Sequence, residues 1–375
     1  MKVALISDSH FGARNDSIVF NDFFYKFWEE TFFPYLKEKN IKTVIHLGDV
    51  MDRRKFVSYK IAKDFRERFL QPFADNNITV HMLAGNHDIF YRNTNHVNSL
   101  RELIHGRFDN VKIYEECETI KIDDTPIMMI PWINSENYAD TMNHIKETQA
   151  QIAMGHLEIN GFEMHSGHFA QGGYEKNIFN KFDVVFSGHF HKKSDDGHIY
   201  YLGNTYEITW SDYECPRGFH IFDTETRELE RVLNPHTIFK KIYYDDGSND
   251  YSSNFDYDSV AENYVKVVVV NKKDLYQFDL FIDKLLKSSA HDVKITENFS
   301  DLNAENVSDD IVEKSEDTVS LLENYINELD ITLDKTRLSG MMKSLYLEAS
   351  ELELWKELMW AFHIMLMHDA SILYV

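Results

Sequence analysis

Short apolar runs punctuate the first two thirds of the chain. The first, 2–6 (KVALI), stops at Asp8 and His10. Similar runs occupy 43–47 (TVIHL), 79–83 (TVHML), 127–130 (IMMI), 151–154 (QIAM), 183–186 (DVVF), 198–202 (HIYYL) and 218–222 (GFHIF). Each has the length and the β-branched or aromatic content of a strand. Between the early runs, segments 18–39, 58–75 and 95–105 carry apolar residues at helical spacing, and each predicts a helix. Strands that alternate with helices predict an α/β layered core. The later strands follow one another without long helices, which predicts a second, more antiparallel sheet packed on the first.

Beyond residue 240 the pattern changes. Segment 245–258 (DDGSNDYSSNFDYD) is acidic with no basic residue and reads as a linker or exposed loop. A strand at 264–270, a helix at 274–287 and a strand at 292–296 then make a compact β-α-β unit. Segment 301–317 is acidic and poor in aromatics, and reads as a tether. Two helical patterns close the chain. In 318–329, Leu321, Leu322, Tyr325, Ile326 and Leu329 share a face; in 335–367, Leu338, Met341, Met342, Leu345 and Tyr346 do the same. The expected division is 1–240, 241–300, 301–317 and 318–375.

Composition narrows the function classes. Hydrophobic residues make up 43% of the chain, enough to build a core and to exclude a disordered polymer. Asp and Glu number 62 against 39 Lys and Arg, a net charge of −23, which argues against coating nucleic acid by net positive charge. Local cationic patches and bound metal ions stay possible. The two cysteines, Cys117 and Cys215, exclude a disulfide framework and a thiolate zinc site, and fit a reducing cytoplasm. Asp8 and His10 interrupt the first run too early for a signal peptide. No stretch of ~18 uncharged apolar residues exists, so no membrane span is expected; 354–367 comes nearest but contains Lys356, Glu357 and His363.

Five apolar runs lead into residues of metal-ligand type: Asp8-Ser9-His10, Gly48-Asp49, Gly85-Asn86-His87-Asp88, Gly155-His156 and Gly188-His189-Phe190-His191. In extended chain, residues two apart point the same way, so Asp8 with His10, and His189 with His191, can each converge. Open α/β sheets place their sites at the carboxyl ends of strands, so the five clusters are expected on one edge. Glycines there let backbone and ligand approach closely. Imidazole and carboxylate oxygens without thiolate suit Mn²⁺, Fe²⁺, Zn²⁺ or Mg²⁺. So many ligands exceed the needs of one ion, and a pair of ions ~3.5–4 Å apart suits in-line displacement at phosphate.

These five motifs resemble those of the calcineurin-like metallophosphoesterases. Asp49-Val50-Met51-Asp52-Arg53-Arg54-Lys55, followed by Gly85-Asn86-His87-Asp88, is similar to the SbcD-type recombination nucleases. Gly155-His156-Leu157-Glu158-Ile159-Asn160-Gly161 and Pro216-Arg217-Gly218-Phe219, with 222–226 (FDTET), resemble the nuclease subunits of T-even-type bacteriophage recombination complexes. The resemblance covers 1–240. It implies a four-layer α-β-β-α sandwich, a small β-α-β capping domain and a C-terminal helical hairpin. It implies one metal held by Asp8, His10, Asp49 and His191, and another by Asp49, Asn86, His156 and His189, with Mn²⁺ the expected ion and Mg²⁺ the alternative. His87 would orient the phosphate or protonate the leaving oxygen. Some cellular relatives have a second catalytic histidine where this chain has Asp52, which leaves Asp52 to orient His87 through a hydrogen bond.

The implied activity is 3′-to-5′ exonuclease action on duplex ends and endonuclease action on single strands, in DNA recombination, repair and replication. The implied partner is an SbcC-like ABC-type ATPase gripped through the helical segment, and a homodimer through 58–70 and 93–105 is expected, all in the cytoplasm, that of the host if the chain is phage-encoded. Arg53, Arg54, Lys55, Lys192 and Lys193 follow two of the motifs and are candidates for contact with the DNA backbone. His46 and His81 lie inside apolar runs and read as packed residues; His165 and His168 read as surface histidines of a glycine-rich loop. Two other readings of the same site stay open: a small-molecule phosphodiesterase or phosphoprotein phosphatase, and a non-catalytic scaffold of the ATPase complex.

Overall fold

The alternation of side chains decides the layering. In β1 (Lys2–Ile6), Val3 and Leu5 face one way and Ala4 and Ile6 the other, and all four are buried. The same holds in β2 (Thr43–His46) and β3 (Thr79–Leu83), where Ile45 and Leu83 share the first face and Val44, Val80 and Met82 the second. Strands covered on both faces read as continuous apolar runs, which is why they stand out in the sequence. The computed structural model describes residues 1–165, 168–251 and 255–296, together with Lys335.

The chain continues through β4 (Val111–Tyr114), β5 (Glu118–Ile122), β6 (Thr125–Ile130), β7 (Ile152–His156), the short pair β8 (Glu163–His165) and β9 (His168–Phe169), β10 (Val184–Gly188), β11 (Ser194–Asp195), β12 (Ile199–Tyr201), β13 (Gly218–Asp223) and β14 (Leu229–Leu233). One sheet has the order β14-β13-β1-β2-β3-β4 and the other β11-β12-β10-β7-β6-β5. Their inner faces meet through Val3, Leu5, Ile45 and Leu47 on one side and Ile127, Met129, Ile152, Met154 and Phe186 on the other. The expected antiparallel character of the second sheet is confined to its edges. Its central strands β12, β10, β7 and β6 are all parallel. One of the crossovers that this needs contains the helix Tyr138–Glu147, whose exposed face is so polar that the apolar spacing does not reveal it.

Helices cover the outer faces. The first, α1, runs through Ile18–Phe27, Trp28–Phe32 and Phe33–Glu38; the second, α2, through Tyr59–Asp64, Phe65–Leu70 and Gln71–Asp75. The middle section of each is a π-helical turn, followed closely by Pro34 or Pro72. A proline lacks the N–H and crowds the carbonyl four residues back, and a widened turn keeps the helix going past it. Ser58 caps α2 by accepting from Ile61 N. The third helix, α3 (Ser99–Ile104), starts later than its pattern suggests, because Asn98 is its cap and Asn95 is engaged in bonds to the carbonyls of Glu115 and Trp132. With α4 (Tyr138–Glu147) on the far sheet, the order of layers is α-β-β-α. Phe11, directly after His10, packs against Tyr25, Phe65 and Phe69 at 5.7, 5.3 and 4.9 Å between ring centroids, so the loop after β1 is anchored in the α1–α2 layer.

A smaller sheet has the order β15 (Phe239–Asp245), β16 (Tyr264–Asn271), β17 (Asp292–Thr296). Helix α5 (Leu275–Leu286) lays Phe278, Phe281 and Leu285 on Ile242, Tyr244, Val265 and Val267. The boundary expected between residues 240 and 241 lies inside β15. The acidic segment 245–258 connects β15 to β16 within this subdomain and is not a linker between domains. Its Tyr251, Phe255 and Tyr257 pack on the same core, with Tyr251 stacked 4.5 Å from Tyr244. The tether 301–317 and the segment 318–375, with Leu321, Leu322, Tyr325, Ile326, Leu338, Met341, Met342 and Leu345, lie outside the described residues. Among the described residues, no helix is long and apolar enough to cross a membrane.

Phe69 is fully buried and touches the rings of Phe11, Trp28, Phe65 and Phe73. Phe69→Ala is expected to cost about 3–5 kcal/mol of stability, read as a lower urea midpoint with an unchanged slope.

Candidate metal centre

Parallel pairing aligns the carboxyl ends of the strands that carry the motifs. Ile6 pairs with His46 and His46 with Met82 in the first sheet, and His156 pairs with Gly188 in the second. The loops after β1 and β2 then run side by side: Asp8 N donates to Gly48 O at 3.1 Å, His10 N to Asp49 O at 3.1 Å and Phe11 N to Val50 O at 2.8 Å. Asp8, His10, Asp49 and His189 all adopt positive φ, at 52°, 44°, 53° and 86°. Such conformations are costly for residues with a Cβ and persist only where the surroundings enforce them, which is common at functional sites. Two glycines explain the close approach. A Cβ on Gly85 would lie 2.3 Å from both N and Oδ1 of Asp49, and one on Gly188 would lie 2.0 Å from Ser7 Oγ and 3.0 Å from Asp8 Oδ2.

All seven expected ligands meet at this edge. Asp8, His10 and His191 form one cluster and Asp49, His156 and His189 another, with the ligand atoms of each within 4.8 Å of one another. In the first, the Nε2 atoms of His10 and His191 face each other at 3.0 Å. In the second, His156 Nε2 is 3.2 Å from Asp49 Oδ2, and Asn86 Oδ1 lies 2.9 Å from His156 Nε2 and 3.0 Å from His189 Nδ1. Asp49 Oδ2 is also 3.9 Å from His10 Nε2, so this carboxylate stands between the clusters. His156 Nδ1 is 2.7 Å from Leu47 O; donating its proton there leaves the Nε2 lone pair turned to the site. The donor set is oxygen and imidazole nitrogen, facing inward in two groups that share a carboxylate. It fits divalent metal ions.

The electrostatics agree with that fit. Burial pushes the Asp8 carboxyl up, with the neighbouring charge of Asp49 adding to it. Burial also works against Asp49, but the imidazoles of His156 and His87 outweigh it and hold Asp49 well below the usual carboxylate range. Burial disfavours the charged forms of His10 and His156, yet the carboxylates around them prevail. His10 is pushed up to about 10, by its bond to Asp52 and the charges of Asp49, Asp52 and Asp8; His156 is pushed up to about 9, chiefly by Asp49. The pocket thus favours cations.

His87 sits beside the first cluster, its ring 4.9 Å from that of His10 at 82°. The side-chain bond expected from Asp52 to His87 does not form. His87 Nδ1 bonds the Asp52 backbone carbonyl at 2.5 Å, and the Asp52 carboxylate instead lies 3.4 Å from His10 Nδ1. Asp52 follows the Gly48-Asp49 motif on a loop bonded to Phe11, through Asp52 N to Phe11 O at 3.1 Å, and this turns its side chain towards His10. His46 and His81 are buried and bonded to Ser9 Oγ and the Tyr114 hydroxyl at 2.7 and 2.6 Å, and neither belongs to the ligand clusters. The side chains of His165 and His168 lie outside the described residues.

Two supporting residues escape the sequence reading. The buried Asp88 carboxylate accepts from the N–H groups of Val50, Met51 and Gly85 and so ties together the loops after β2 and β3; burial, aided by the charge of Asp49, pushes it up to about 6. Its only signal is its place at the end of the 85–88 motif. Buried Arg217, just before β13, binds Asp212, Asn204 and the carbonyl of His191 and so braces the fifth motif; the sequence marks it only as part of the 216–219 resemblance, with no role attached. Of the basic candidates, Arg53 pairs with Asp16 and stacks 4.3 Å from the Phe56 ring, Lys192 pairs with Glu163 at 2.6 Å and Lys193 with Asp195. Lys55 is exposed and Arg54 partly buried. A phosphate would have to compete with these carboxylates.

Comparison with known proteins places the same residues in a family. The profile of the calcineurin-like phosphoesterases matches residues 1–193, which contain all five motifs. Exonuclease subunit 1 of Enterobacteria phage T4 is 31% identical over 354 residues, covering 94% of this chain and 100% of that one. Among solved structures, a novel archaeal phosphodiesterase is 18% identical with a TM-score of 0.30, covering 62% of this chain and 99% of its own. GAP50, the anchor in the inner membrane complex of Plasmodium, is 11% identical with a TM-score of 0.38, covering 63% of this chain and 90% of its own. The two structural likenesses are too weak to carry an argument. The family match and the full-length relative do carry one: this chain belongs to the calcineurin-like phosphoesterase family.

Proposed function

We propose that the chain is a two-metal DNA nuclease, a 3′-to-5′ exonuclease on duplex ends and an endonuclease on single strands. The observation that carries this reading is the meeting of two ligand clusters around one shared carboxylate, Asp49, in a chain that aligns along the whole length of a protein named an exonuclease subunit. Asp8, His10, Asp49 and His191 would hold one ion and Asp49, Asn86, His156 and His189 the other. Two divalent ions there, Mn²⁺ by preference, supply Lewis acidity and charge neutralisation for in-line displacement at phosphorus.

The chain's own residues do the rest. His87 Nδ1–H donates a hydrogen bond to the Asp52 carbonyl, which leaves Nε2 for the substrate, where an Nε2–H would donate to a phosphate oxygen or to the leaving oxygen. Asp52 acts on His10 through Nδ1, orienting that ring and raising its basicity. Asp88 and Arg217 keep the motif loops in register. Lys55 and Arg54, with Arg53, Lys192 and Lys193, would contact the DNA backbone, the last three exchanging their carboxylate partners for phosphate. The name of the phage relative makes it one subunit of a larger enzyme. The resemblance to SbcD-type nucleases supports an SbcC-like ABC-type ATPase as the partner, docked on 318–375, a homodimer, and a role in recombination and repair in the cytoplasm of an infected host.

End-labelled duplex and circular single-stranded DNA are expected to be degraded with Mn²⁺ by the wild type. His87→Ala should lower kcat at least about a hundredfold while leaving Mn²⁺ binding in place; unaltered turnover would remove His87 from the chemistry. At pH 7.5 the metal-free His10 and His156 are protonated, so Mn²⁺ binding should release protons and tighten as pH rises. Calorimetry in two buffers of different ionisation enthalpy reads that release, and its absence would count against both histidines as ligands. Deleting 318–375 should abolish co-purification with the ATPase and spare Mn²⁺-dependent hydrolysis of a small phosphodiester.

A further inference from the structure

Among the central parallel strands of the second sheet, β6 ends differently from β7 and β10. It runs parallel to β7 with Ile130 beside Gly155, so its carboxyl end reaches the same edge as His156. In place of a ligand type it offers Pro131-Trp132-Ile133-Asn134. Pro131, Ile133 and Asn134 are buried, whereas Trp132 is only partly so. Its indole lies against the second ligand cluster, 5.1 Å and 49° from the His189 ring and 6.0 Å and 63° from the His156 ring. Another aromatic neighbour of His189, Phe190 at 5.1 Å, is buried.

The backbone that carries the indole is held at both ends. Trp132 N donates to Ala84 O at 2.8 Å, next to the 85–88 motif. Trp132 O accepts from Asn95 Nδ2 at 2.9 Å and Asn137 Nδ2 at 3.0 Å. Asn95 is itself buried and accepts from Asn134 Nδ2 at 2.9 Å. This network of side-chain amides positions one large aromatic group, with part of its surface in water, at the rim of a site otherwise made of charged and polar groups. Packing His189 needs only one face of the ring. A partly exposed, rigidly mounted aromatic surface is what a nucleobase stacks on, at little cost in side-chain entropy.

We infer that Trp132 is a substrate-contacting residue, a stacking platform for a base of single-stranded DNA next to the scissile phosphate on the His156–His189 side. This inference rests on the nuclease reading and deepens it: it gives the site a preference for nucleic acid over small phosphodiesters. The base need not be of one kind, because every base has a π-face. A duplex would have to open locally before a base reached the ring, since its bases are stacked within the helix.

The test compares full-length wild type, Trp132→Ala, Trp132→Leu and Trp132→Phe with Mn²⁺ on a single-stranded oligonucleotide and on bis(p-nitrophenyl) phosphate. For Trp132→Ala and Trp132→Leu, the ratio of kcat/KM for the oligonucleotide to kcat/KM for the small ester should fall about tenfold or more, through the KM of the oligonucleotide. Trp132→Phe should recover most of that ratio. A fall of both substrates together, with the ratio unchanged, would mean that the ring only supports His189 and would overturn the inference. So would an oligonucleotide KM equal to that of the wild type. If the wild type hydrolyses the small ester but not the oligonucleotide, the nuclease reading itself fails and takes this inference with it; if it hydrolyses both, only the ratio decides.

Discussion

Asp49 is a charged carboxylate almost wholly removed from water, and a buried charge costs several kcal/mol unless it is paired. The site is arranged around that constraint. His156 lies 3.2 Å from Oδ2, the N–H of His87 donates to Oδ1 at 2.8 Å, and His10 stands 3.9 Å away. Each of these partners comes from a different strand end, so Asp49 can be satisfied only if both sheets deliver their loops to one place. The same requirement excludes a side chain at Gly85, where a Cβ would collide with the backbone and carboxylate of Asp49.

The rest of the fold serves to hold those loops still. The two sheets bury their inner faces on each other, which fixes how the end of β7 sits over the ends of β1 and β2. Phe11 anchors the loop after β1 in the aromatic layer of α1 and α2. Asp88 gathers three backbone N–H groups from two loops, and Arg217, just before β13, reaches the carbonyl of His191. Left-handed backbone at Asp8, His10, Asp49 and His189 is tolerated because each of these supports overdetermines it. Divalent cations would complete the site by taking over the neutralisation of its carboxylates when His10 and His156 give up their protons.

Much of this is legible along the chain. Strands buried on both faces announce themselves as unbroken apolar runs, and β3 is read to its residue boundaries at 79–83. The five motifs stand out because ligand-type residues rarely follow such runs directly. Strands with exposed or mixed faces are less visible: β4, β5, β14 and β15 carry lysine, glutamate and arginine among their apolar residues and do not read as strands. The acidic 245–258 segment reads as linker or exposed loop by charge; it is a loop of the small subdomain, and its three aromatic rings pack on that core. Helix α4 shows only a narrow apolar face, so the parallel connection of the second sheet is hidden with it.

What the sequence determined alone is chemical: which residues are available as ligands, in what order, and that they follow strands. That much is local, because an apolar run and a glycine before a ligand are properties of neighbouring residues; the extended-chain alternation expected of Asp8 with His10 and of His189 with His191 does not hold, since Asp8, His10 and His189 have positive φ and His189 and His191 join different clusters. Which atoms meet was decided by tertiary structure. Asp52 turns to His10 while only its carbonyl reaches His87, three of the five basic candidates are already paired with carboxylates, and Trp132 comes to rest against His189 from a strand that carries no motif. Apart from the local Lys193–Asp195 pair, those outcomes depend on contacts between residues tens of positions apart, which only the packed fold brings together.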